Sequence, residues 1–453
     1  MPRTPTLDQL AADLAAGRTT SRKLVADCHA RIDDASGEGA RAFTLVMRKE
    51  AIGAAEGIDK LRAAGASPSR YAGIPVSIKD LFDIAGQVTR GGSKVLDDAP
   101  AAGADAPAVA RLRRAGFVVI GRTNMTEFAF SGVGINPHYG TPKCAWDRQT
   151  GRIPGGSSSG AAVSVADGMA HVGLGTDTGG SCRIPAAFNG IVGYKPTASR
   201  VPTAGALPLS ATLDSIGPMA RTVACCAAVD AVLAGEPLRE LVPASLKGLR
   251  IAAPQTFVLG SMDETVARDF DRALATLSAA GAQVDRVAVP EFDDIPRING
   301  KAGFAAPEAL AWHKALIEKR AAGYDPRVLV RIKRGSEQSA LDYIELLADR
   351  ARFIADVERR LAGYDVMALP TVPMVAPPIA ALDKDEDFGR INLLALRNPA
   401  VINMLDGCAI SLPMHAPGEA PTGLTLASTR GRDHMLFAIA AAVEAALDAR
   451  EKG

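Results

Sequence analysis

Between Gly155 and Thr197 the chain reads GGSSSGAAVSVADGMAHVGLGTDTGGSCRIPAAFNGIVGYKPT, with two serine-bearing glycine turns on either side of one short helix–strand unit. Glycine tolerates φ > 0 and close backbone approach. Gly155, Gly156 and Gly160 in one turn, with Gly179 and Gly180 in the other, can therefore bring serine hydroxyls and main-chain N–H groups onto one substrate atom. A binding module has no need of that arrangement, whereas a serine hydrolase does. Ser157 and Ser181 are the first candidates for chemistry.

The intervening segment is structural. Ala161 to Met169 is small and apolar with Gly168 near its end, which predicts a helix with a glycine stop, and His171 to Gly175 predicts a buried strand. Pro185 stands where a helix can begin. That would aim free N–H groups near the Ser181 turn and favour developing negative charge there.

These residues resemble the amidase signature family of serine hydrolases, whose diagnostic region pairs a GGSSSG turn with GTDTGGS and RIPAA. They stand here at Gly155 to Gly160, Gly175 to Ser181 and Arg183 to Ala187. The family also carries an upstream strand written GIPVxxKD, matched by Gly73-Ile74-Pro75-Val76-Ser77-Ile78-Lys79-Asp80. The resemblance implies a Ser–Ser–Lys triad, with Ser181 as nucleophile, Ser157 as a bridging serine after a cis peptide, and Lys79 as base. It also implies an oxyanion hole built from the backbone N–H groups of Thr178, Gly179, Gly180 and Ser181. One departure lies after Gly140-Thr141. The family there has an Asn-Pro step, and this chain has Lys143-Cys144-Ala145-Trp146-Asp147.

An ammonium has three donors and no acceptor, so Lys79 can act as base only when neutral. Burial on the apolar strand Ile74 to Ile78 would supply the necessary fall in pKa. The competing reading of Lys79 is a surface lysine paired with Asp80. Gly156-Ser157-Ser158-Ser159-Gly160 also satisfies the nucleophile-elbow pattern G-x-S-x-G, which would make Ser158 the nucleophile. That elbow needs a strand leading into it, yet Thr150 to Pro154 is turn-like, and His313, His415 and His434 sit in no recognisable motif. His138 and His171 are read as structural, as are Arg183 and Cys182 beside the proposed nucleophile.

The rest of the chain agrees with an enzyme. A net charge of +1 provides no field for nucleic acid or anionic lipid, and the basic cluster Arg327, Arg331, Lys333 and Arg334 reads as a solvated helical face. The six cysteines form no CxxC pair, and HExxH and phosphate-loop patterns are absent, so no metal and no cofactor are expected. No apolar run approaches the roughly 18 residues of a membrane span, and the first residues, MPRTPTLDQLAADLAAG, lack the apolar core of a secretory signal. A cytoplasmic location follows as the expectation.

Helix and strand signals alternate along the chain. Thr6 to Gln9 read as a capping box, with a second helix after Thr20 burying Leu24, Val25, Cys28 and Ile32. Helix then strand follow at Ala106 to Ala115 and Phe117 to Ile120. Strand, helix and strand follow again at Leu249 to Ala253, Asp263 to Ala280 and Val284 to Val289. Late strands are expected at Tyr364 to Pro370 and Ala409 to Pro413. The expected fold is α/β: a single large α/β/α domain over 1–453, a mixed twisted sheet covered by helices. Within it are a helical leading segment (1–70), a catalytic core (71–200) and an inserted helical lobe near 301–361.

The expected function is hydrolysis of a small-molecule amide, with no nucleic acid or membrane partner; the sequence leaves a homodimer open. The alternatives are the glutaminase component of a tRNA-dependent amidotransferase and an inactive interaction protein on the same fold.

Overall fold

A computed structural model describes residues 4–450; Met1, Pro2 and Arg3, part of the stretch read for a targeting signal, lie outside them. The chain enters as predicted. Thr6 Oγ1 accepts from Gln9 N at 3.2 Å while Gln9 Oε1 accepts from Thr6 N at 2.8 Å, and this capping box starts the helix Leu7–Ala15. The helix Ser21–Ile32 follows, with Leu24, Val25, Cys28 and Ile32 on its buried face.

Among the described residues eleven strands form one sheet: β1 (Phe43–Val46), β2 (Pro75–Lys79), β3 (Val118–Thr123), β4 (Val172–Asp177), β5 (Val192–Lys195), β6 (Ser215–Ala220), β7 (Arg250–Pro254), β8 (Gln283–Val287), β9 (Val366–Pro370), β10 (Cys408–Pro413) and β11 (Gly423–Ser428). Their order is β1-β3-β2-β4-β6-β5-β10-β11-β9-β7-β8. Parallel pairs lie toward each end, β2 with β3 and β4, and β7 with β8 and β9, and the centre is antiparallel. The sheet is thus mixed, with helices on its faces. β2 and β4 are buried at every position, as expected of parallel strands covered on both faces.

Two helices, Ser159–Ala166 and Arg183–Asn189, carry the serine turns, and every residue of both is buried. The second begins at Arg183, two residues before the proline expected to open it, and stops at Gly190 in the left-handed conformation. β4 runs on to Asp177 because β6 pairs with it residue by residue from Val172↔Ala220 to Asp177↔Ser215. That ladder delivers the Ser181 turn at the end of a central strand. β6 itself, SIGPMA, reads as a turn in sequence. Its Pro218 is tolerated because β5 pairs only with Met219 and Ala220, so no donor is needed from it on that side.

Between β8 and β9 the chain is helical, including Ala305–Arg320, Pro326–Lys333 and Ala340–Leu361. Among the described residues no helix is long and apolar enough to cross a membrane.

Gly160 shows how tightly the first turn is seated. A Cβ there would stand 2.2 Å from Ala42 O and 2.7 Å from Asn124 N, both backbone atoms. Gly160→Ala is expected to destabilise the protein by about 1–3 kcal/mol or more through forced backbone displacement, measured by denaturant unfolding.

Candidate active site

Lys79 is the last residue of β2, between β3 and β4, and its side chain is wholly buried. Its Nζ lies 2.8 Å from Ser157 Oγ and 2.8 Å from Thr176 Oγ1 on the neighbouring β4. Burial pushes the amine down to about 8, against the opposing charges of Asp214 and Asp177. Asp80 does not pair with it. Its carboxylate instead takes Arg122 Nε at 2.5 Å, a fully buried ion pair. Strand alternation separates the two side chains, which is why the surface-lysine reading fails.

The Gly156–Ser157 peptide is cis. Ser157 and Ser181 belong to adjoining turns, tied by Ser158 N donating to Ser181 O at 3.3 Å. Ser158 Oγ donates to Thr176 O at 3.4 Å, and among the described residues no histidine is bonded to it. No strand lies between β3 and the helix Ser159–Ala166, so the elbow geometry is absent among the described residues. The histidines are engaged elsewhere. His138 Nε2 meets Glu127 Oε1 at 2.8 Å, and His313 Nδ1 meets Tyr324 Oη at 2.9 Å. His434 faces Glu236, while burial lowers His171 to about 4 and also lowers His415.

The Ser181 turn is held from within by Asp177. Its Oδ1 accepts from Gly180 N at 2.9 Å and its Oδ2 from Cys182 N at 3.2 Å. The same carboxylate receives Arg183 Nε at 3.0 Å and Nη2 at 2.9 Å, together with Asn403 Nδ2 at 3.0 Å. Burial alone would raise Asp177, but the Arg183 guanidinium wins and holds it well below the usual carboxylate range. Arg183 is thereby a structural counter-ion, as read from sequence. Cys182 is a packed thiol whose pKa burial pushes far up.

Gly180 takes φ 127°, a conformation open to glycine, and its N–H is committed to Asp177. This corrects the expected set of four oxyanion donors. Among the described residues no acceptor takes up the N–H of Thr178, Gly179 or Ser181, and these three line a cavity of about 280 Å³.

Sequence reasoning missed several residues here. Thr176 is one. Asp214 is another: it precedes β6, accepts from Thr178 Oγ1 at 2.5 Å and from Leu209 and Ser210 N at 3.0 and 3.1 Å, and burial pushes it up to about 6. Thr178 sits directly after Asp177 and Asp214 directly before Ser215, partners in the ladder, but that pairing is not visible in sequence. Arg331, read as part of a solvated face, is partly buried and lines the same cavity, a second correction; Arg334 borders the cavity too but stays exposed, as read. The departure at Lys143 to Asp147 packs on the second serine helix, with Cys144 Sγ bonded to Phe188 O and Ala145 N to Asn189 Oδ1.

Residues 23–437 match the Amidase family, and the chain belongs to it. A 2-amino-5-chloromuconic acid deaminase of Comamonas testosteroni is 35% identical over 447 residues, covering 97% of this chain and 95% of that protein. The A-type component of a glutamyl-tRNA(Gln) amidotransferase from Streptococcus pneumoniae is 31% identical, covering 90% of this chain and 89% of that one. A crystal structure of an amidase superposes with a TM-score of 0.88 at 31% identity, covering 98% of this chain and 100% of that one. The protein is therefore an amidase, a hydrolase of amide C–N bonds.

Removing Asp177 strands the buried Arg183 charge. Asp177→Ala is expected to cost about 3–5 kcal/mol in denaturant unfolding and to abolish turnover with it.

Proposed function

We propose that Ser181 is the nucleophile, Ser157 the bridging group and Lys79 the base of an amide hydrolysis that proceeds through an acyl-enzyme. The observation that carries this reading is a wholly buried lysine amine 2.8 Å from Ser157 Oγ. In its neutral form the amine donates to Thr176 Oγ1 and turns its lone pair to Ser157. Ser181 Oγ attacks the carbonyl carbon while its proton passes to Ser157 and that of Ser157 to Lys79. The N–H groups of Thr178, Gly179 and Ser181 receive the oxyanion. When the tetrahedral intermediate collapses, the relay returns a proton to the departing amine or ammonia. Water, activated by the same relay, then releases the carboxylate.

The relatives support two settings for this chemistry: a free-standing hydrolase and the glutaminase component of an amidotransferase. We favour the first. The relative at 35% identity is named a deaminase, an activity that frees an amino group, with no tRNA in its name. Ammonia or amine release from small amides by the purified chain, without partner, tRNA or ATP, is the expected result. Release only in the presence of a partner protein would favour the second setting.

Ser181→Ala should lose on the order of 10⁴-fold or more in kcat/KM, and hydroxylamine should divert wild-type product to hydroxamate. Ser158→Ala should be mild; the reverse pattern would support the elbow.

The base predicts a pH limb. Lys79 is active when neutral, so kcat/KM should rise with pH through about 8 and flatten above it. Lys79→Ala should lose roughly 10²–10⁴-fold. Lys79→Arg should not rescue, because guanidinium stays protonated. Variants of His138 or His171 should keep the limb.

A further inference from the structure

Arg331 stands on the helix Pro326–Lys333, which buries Val328 and Ile332, and its side chain lines the cavity that also holds Ser181. Its guanidinium lies 4.9 Å from the centre of the Phe388 ring, and Nη1 donates to Phe130 O at 3.3 Å. Among the described residues no carboxylate forms an ion pair with it. The two nearby acids are occupied: Asp385 takes Arg327 Nε at 2.7 Å, and Asp325 caps the helix through Arg327 N.

Several other enclosed arginines have carboxylate partners. Arg122 has Asp80, Arg183 has Asp177, and Arg200 has Asp230 and Glu236. Arg350 and Arg397 lack a carboxylate but each donates to two or more oxygens, for Arg350 the carbonyls of Asn403 and Met404. Arg331 has five donors, one protein acceptor and an open cavity in front of it. A partly desolvated, unpaired cation is unfavourable, and an anionic ligand would relieve that cost.

Much of the remaining wall is apolar, with Leu209, Leu213, Phe304 and Leu396, and Asn299 and Asn392 are polar members of it. Arg334 lines the cavity as well; it is half-exposed and only loosely paired with Glu337 at 3.5 Å.

We propose that Arg331, assisted by Arg334, anchors the carboxylate of a substrate whose scissile amide lies at Ser181 and whose short apolar body fills the cavity between them. The substrate class is thus a monoamide of a dicarboxylic acid or a similar carboxylate-bearing amide. A guanidinium fork matches a carboxylate in two-point geometry, and one such anion neutralises the cation facing the apolar wall. This specificity rests on Ser181 being the nucleophile, and binding separates the two claims.

The test titrates the Ser181→Ala protein by calorimetry with succinamate, glutaramate and adipamate, and with their neutral counterparts butanamide, pentanamide and hexanamide. At least one acid monoamide should bind roughly tenfold or more tighter than its neutral partner. Arg331→Gln in that background should erase the difference by weakening the acid far more than the neutral amide, and Arg331→Lys should restore part of it. Equal binding of the two series, or equal weakening of both by Arg331→Gln, overturns the anchor. Wild-type turnover of the same panel separates the readings. Charge-selective binding without hydrolysis upholds the anchor and overturns the hydrolytic reading, whereas hydrolysis of both series without preference overturns the anchor alone.

Discussion

A lysine amine held wholly out of water at the end of an interior strand, with two hydroxyls as its hydrogen-bond partners, sets the terms for the rest of this structure. Desolvation disfavours the ammonium, and Asp177 and Asp214, though they act on it electrostatically, are not bonded to it. Keeping it dry requires helices on both faces of the sheet and strands on both sides. β2 is accordingly buried at all five positions and paired to β3 and β4. Asp80 contributes by turning away to Arg122, which leaves Lys79 without a salt bridge that would return it to the charged form.

Around this amine, two carboxylates hold the reactive turn, Asp177 fully buried and Asp214 partly so. Asp177 grips it from inside through Gly180 and Cys182, and Arg183 keeps that carboxylate ionised. Asp214 grips it from outside through Thr178, and the same carboxylate holds Leu209 and Ser210 on the loop that walls the cavity. Among the described residues the amides of Thr178, Gly179 and Ser181 are left unclaimed, and these are the donors we propose for the oxyanion. The ladder from β4 to β6 places both carboxylates at one sheet end.

Much of this is legible in the residues. The capping box at Thr6, the strands β2, β4, β7, β9 and β10, and the helices between them follow from local pattern, because period and glycine stops are local properties. Lys79, Ser157 and Ser181 stand out because each sits in a short motif. β6 does not, since its Gly217 and Pro218 read as a turn and only its neighbours make it a strand. A free N–H is expected of Gly180 because sequence cannot show which acceptor lies beneath a turn. Arg331 reads as solvated for a related reason: the fold turns that part of its helix toward the cavity, a tertiary fact with no signature in helical spacing.

The protonation state of Lys79 carries the account, and it can be read without turnover. The ¹³Cε resonance of Lys79, identified by its loss in Lys79→Ala, should titrate near 8 in the folded protein while surface lysines titrate near the ordinary value of about 10.4. A Lys79 signal that titrates with the surface lysines would show an ammonium throughout the working range and contradict the proton relay from Ser181 through Ser157.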